Sequence, residues 1–72
     1  MNTLDTALHI TLNGQPMQLP AGATLADAAR ASGLQPPFAA AVNLQFVPRT
    51  QYPHTPLNTG DQVELISPVT GG

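Results

Sequence analysis

Two histidines, His9 and His54, two serines, Ser32 and Ser67, and four acids, Asp5, Asp27, Asp61 and Glu64, are the side chains with which a search for chemistry begins. Neither histidine has a second histidine or a carboxylate at ligand spacing, and a metal site needs three or four such donors. Neither serine lies between the glycines of a nucleophile elbow, and the acids are scattered rather than paired for proton transfer. Cysteine is absent, so no side-chain thiol can attack, form a thioester or bind a metal. The reading is of a chain that is not itself an enzyme, with no catalytic side chain and no metal site. Gly71 and Gly72 remain. Without a Cβ they can lie in a channel too narrow for any side chain. A terminal carboxylate with a pKa of about 3.3–3.7 is ionised at neutral pH and can attack an activated phosphate. On the residues alone, a frayed terminus explains the same two glycines equally well.

Composition narrows the partners. The sequence has 72 residues, 42% of them hydrophobic, enough for one domain with one core and no deep cleft. Arg30 and Arg49 are the only cations among Lys and Arg, too few to neutralise a run of phosphates, so nucleic acid is excluded and a protein partner is expected. No apolar run approaches the ~20 residues of a membrane span, and the first residues lack the pattern of a signal peptide. A cytoplasmic chain, monomeric when alone, is expected.

The elements that must position the Gly-Gly end follow from local pattern. Leu8 to Leu12 alternates apolar and polar, Asn13-Gly14 is the preferred pair for a two-residue type I′ turn, and Met17 and Leu19 resume the alternation: a hairpin. Thr24, with Asp27 three residues on, starts a helix, and Gly33 ends it with Leu34 folding back over the last turn. Leu25, Ala28 and Ala29 share its apolar face. Phe38 to Val42 fits a strand or a helix fragment by periodicity, and the flanking Pro36-Pro37 favours a strand. Asn43-Leu44-Gln45 turns the chain into Phe46-Val47, and Pro48 ends that strand. Residues 50–56 carry two prolines and no periodicity, an irregular crossing loop. Gln62 to Ile66 is the last strand, with Val63 and Leu65 on one face. The order is β-β-α-β-β-β, an α+β arrangement of one helix across one side of a mixed sheet. The divisions are an arm at 1–7, a domain at 8–66 and a flexible tail at 67–72.

From Leu8 to Gly72 the sequence resembles the thiamine-pathway sulfur carriers, the ThiS family. The resemblance rests on Leu12-Asn13-Gly14, Leu19-Pro20-Ala21-Gly22 leading into Thr24-Leu25, Ala41-Val42-Asn43, Val47-Pro48-Arg49, Gly60-Asp61-Gln62-Val63-Glu64 and Gly71-Gly72. It implies a ubiquitin-like β-grasp fold and a carrier acted on by partner enzymes. In that family an E1-like adenylating enzyme activates the last glycine with ATP and magnesium. The carboxylate becomes a thiocarboxylate, with sulfur drawn from a donor such as a cysteine desulfurase, and passes sulfur to thiazole synthase. Gly72 is then the modified residue and Gly71 gives access to it; the chain itself binds no cofactor.

Departures from the family pattern are Leu44, where glycine is frequent, Tyr52, where tryptophan is frequent, and Pro36-Pro37. The ending Ser67-Pro68-Val69-Thr70-Gly71-Gly72 is also similar to that of molybdopterin-synthase small subunits, which keep the chemistry and change the acceptor. A ubiquitin-like tag or plain interaction protein is the reading from another class. Docking is expected on the sheet face that the helix leaves open. Ile66, with Phe46 or Val47 beside it, forms an apolar patch there, Pro68 leads into the tail, and Arg49 pairs with a partner's acid or stays solvated.

Overall fold

The structure is a computed structural model that describes residues 7–67. The elements are β1 (Leu8–Leu12), β2 (Gln15–Leu19), α1 (Leu25–Ser32), β3 (Ala39–Val42), β4 (Gln45–Val47), a 3-10 helix (Arg49–His54) and β5 (Gln62–Ile66). They form one five-stranded sheet in the order β2-β1-β5-β3-β4. β5, last in sequence, runs in the middle, parallel to β1 and antiparallel to β3. This is the ubiquitin-like β-grasp arrangement. Most of the proposed arm and tail lies outside the described residues, while the strands begin at Leu8 and end at Ile66.

Both hairpins are made by a two-residue turn with positive φ throughout. Asn13 and Gly14, at 52° and 82°, join β1 to β2, and Asn43 and Leu44, at 52° and 70°, join β3 to β4. This left-handed backbone matches the twist of the flanking strands. Asparagine tolerates it by local hydrogen bonding, whereas a leucine there is strained by about 1–2 kcal/mol.

The helix begins as its sequence dictates. Thr24 Oγ1 accepts from the Asp27 amide, and the Thr24 amide donates to Asp27 Oδ2 at 2.8 Å, a full capping box. Gly33, at φ 76°, ends it, its N–H donating to the Arg30 carbonyl. Leu25, Ala28 and Ala29 are buried against Ile10, Leu19, Ala40, Val63 and Leu65 of the sheet. Leu25 and Val63 are the largest fully buried side chains. With alanines on the buried face of α1, helix and sheet approach closely, so this small core depends on few large residues.

Residues 50–56 correct the expectation of an irregular loop. Arg49–His54 is a 3-10 helix containing Pro53, and Thr55 to Leu57 then pair with Ala23 to Leu25: the Leu25 amide donates to the Thr55 carbonyl at 2.8 Å and the Leu57 amide to the Ala23 carbonyl at 3.0 Å. Tyr52 and Leu57 are buried by this crossing. Tyr52 stacks on Phe38, ring centroids 5.7 Å apart, and its hydroxyl donates to the Phe38 carbonyl at 3.3 Å. Periodicity fails where a six-residue 3-10 helix buries one side chain, so the pattern of apolar residues could not reveal it.

Candidate functional site

β5 is the element that leads to the Gly-Gly end, and its neighbours hold it through two asparagine side chains. β1 turns away at Asn13, and the Asn13 amide then takes the place of a further strand residue. Its Oδ1 accepts from the Leu65 N–H at 2.9 Å, and its Nδ2 donates to the Leu65 carbonyl at 3.2 Å. On the other side β3 turns away at Asn43, whose Oδ1 accepts from the Gln62 N–H at 2.9 Å while its Nδ2 donates to Asp61 Oδ1 at 3.0 Å. Asp61 Oδ2 in turn accepts from the Asn58 amide at 2.8 Å. Each such bond contributes about 1 kcal/mol net. Both turn asparagines therefore do two jobs, accepting the left-handed backbone and extending the ladder of β5. Gly60, at φ 96°, lets residues 58–61 double back so that its amide meets the His9 carbonyl at 2.8 Å.

The register of the sheet decides which side chains face away from α1. Ala39 lies opposite Ile66, Ala41 opposite Glu64, and Ala41 opposite Phe46, and period two puts all five on the open face. Phe46 is 70% exposed and Ile66 59%, with two small alanines between their strands. Leu44, at the hairpin tip, is 81% exposed. Val47 has the opposite parity and packs against the core, so Phe46 is the neighbour of Ile66. Exposed aromatic and aliphatic side chains at this density are uncommon on a small surface without a partner. Leu44 was not singled out for this surface from the sequence; its place in a two-residue turn beside an apolar strand was the available signal.

Arg49 is not part of that face. It opens the 3-10 helix and lines a groove on the helix side together with Arg30, Leu34, Pro36, Phe38 and Tyr52. Gly72, Gly71 and Pro68 lie outside the described residues. Among the described residues no group of three or more His, Cys, Asp or Glu side chains could hold a metal ion, and no helix is long and apolar enough to cross a membrane. Among the described residues, Asp27 titrates away from its ordinary value. The Thr24 amide and then the Arg30 guanidinium hold its carboxyl below the usual range, a helix-capping effect rather than a reactive one.

A β-grasp body that holds its final strand from both sides and keeps one sheet face bare has the form of a ubiquitin-like carrier. Residues 10–72 match the sequence profile of the ThiS family, and the chain belongs to that family, the thiamine-pathway sulfur carriers. In fold it is similar to the crystal structure of the thiamine biosynthesis protein (ThiS) from Geobacter metallireducens. The TM-score is 0.75 and the identity 20%, over 90% of this chain and all of that one. No curated protein matches the chain.

Proposed function

We propose that the chain carries sulfur for thiazole synthesis on the carboxylate of Gly72. The observation that carries this reading is the family match running through residue 72, so that Gly71-Gly72 falls inside the matched region beside the β-grasp body. A carboxylate oxygen of Gly72 attacks the α-phosphorus of ATP on an E1-like adenylating enzyme, with magnesium neutralising the phosphates, and pyrophosphate leaves. The outer sulfur of a persulfide, supplied by a donor such as a cysteine desulfurase, then displaces AMP to give an acyl disulfide, and a thiol attacks its outer sulfur, taking that half as a disulfide and leaving a thiocarboxylate on Gly72. Thiazole synthase takes the sulfur. Gly71 lets the end enter narrow sites in both enzymes, and the chain works in the cytoplasm without binding a cofactor of its own.

The body's part is recognition. Phe46 and Ile66 form the apolar centre of a docking surface on the open sheet face, and Glu64 borders it. Intact mass spectrometry tests the chemistry: the chain is incubated with the adenylating enzyme, ATP, magnesium and a sulfur source, beside a Gly72-deleted control. Exchange of one oxygen for one sulfur on the C-terminal peptide of the full chain alone is expected. A chain that forms neither adenylate nor thiocarboxylate, while still binding its partner, is an interaction module instead.

A further inference from the structure

The helix side of the molecule carries a second recognition feature that sulfur transfer does not use. The chain has a formal net charge of −2 and two cationic Lys or Arg side chains, Arg30 and Arg49, and both line one open groove of about 430 Å³ between the end of α1 and the 3-10 helix. Among the described residues no carboxylate lines it. Its apolar wall is Leu34, Pro36, Phe38 and Tyr52, in which the rings of Phe38 and Tyr52 stack on one another. Arg30 is paired with Asp27, which stands outside the groove lining. The Arg49 side chain makes no hydrogen bond or ion pair among the described residues and is exposed. Both arginines thus stand at one apolar slot, with Arg49 the one whose charge is not offset by a described carboxylate.

We propose that this groove docks an acidic peptide segment of a protein partner, a stretch of glutamate or aspartate that carries an apolar side chain. The apolar side chain fills the slot against Phe38 and Tyr52, and flanking carboxylates meet Arg49 and Arg30. Charge of this kind speeds encounter and rejects basic sequences. The surface is distinct from the open sheet face, so a partner can hold the body here while the Phe46 and Ile66 patch is occupied. The proposal stands whether or not Gly72 carries sulfur.

The test is a titration of the isotope-labelled full chain, followed by amide shifts, with a capped glutamate-rich octapeptide that has phenylalanine and leucine at its centre. A matched peptide with lysine in place of glutamate is the control. The glutamate peptide is expected to shift Arg30, Gly33, Leu34, Phe38, Arg49 and Tyr52, and to bind less well as salt is raised. R49Q is expected to weaken binding about fivefold and the R30Q/R49Q pair further, with melting temperatures close to the parent because both side chains are exposed. Shifts centred on Phe46 and Ile66, equal binding of the lysine peptide, unchanged affinity of the double variant, or no binding at millimolar peptide would each overturn the proposal.

Discussion

Leu44 shows how a single residue can oppose its local backbone. It sits at φ 70° with 81% of its surface exposed, a position where glycine has no steric penalty and leucine does. Replacing it removes the strain but adds backbone freedom to the unfolded chain, so the two effects partly cancel. L44G is expected to raise stability by about 0.5–1 kcal/mol, read as a higher urea midpoint with unchanged slope. An unchanged or lower midpoint would mean that the leucine finds compensating contacts on the hairpin. The two turn asparagines show the opposite case, in which backbone tolerance and side-chain bonding favour the same residue. From sequence, Asn13-Gly14 was legible as a turn by composition alone. The Asn13 bonds to Leu65 were not, because they join residues 52 apart in the chain.

At the scale of the element, α1 depends on its capping box more than on its length of eight residues, since so short a helix is marginal without tertiary support. Thr24, Asp27 and Gly33 announced both ends in the sequence, and the structure keeps them. Asp27 also makes the helix sensitive to acid. Because its folded-state value lies below the unfolded one, its contribution is whole above the ordinary carboxylate value of 3.8 and is lost as pH falls through the folded value. Urea denaturation between about pH 5 and pH 3 is expected to show a smaller acid-side loss of stability for D27N than for the parent. Parallel curves for the two proteins would mean that another group governs the acid transition. The crossing segment is the reverse case, with no periodic signal and a decisive role. Tyr52 closes the core beneath the 3-10 helix, and the strand-like contact of Thr55 to Leu57 ties it to the start of α1.

For the molecule as a whole, the sheet has one face covered by α1 and one bare, and β5 in its centre connects the core to the bare face. Val63 and Leu65 bury inward while Glu64 and Ile66 face out. I66D is therefore expected to leave the fold intact, at a stability change of under about 1 kcal/mol from strand propensity, and to weaken capture by the adenylating enzyme at least about tenfold. Calorimetry on the purified pair reads both. Unchanged affinity would remove Ile66 from the docking surface, and a collapsed melting transition would show that the strand end needs its apolar side chain.

The amino-acid sequence by itself determined the two hairpins, the limits of the helix, the inward parity of Val63 and Leu65 and the carrier family, because turn chemistry, capping and period-two alternation are local. The tertiary structure decided what depends on pairing between distant segments. It brought β5 between β1 and β3, set Phe46 rather than Val47 beside Ile66 through the β3–β4 register, and folded residues 49–54 into a turn that buries Tyr52. It also separated Arg49 from the open sheet face and placed it in one groove with Arg30. Sequence spacing carries no record of such meetings, since strand order and register are chosen by the whole core rather than by any one segment.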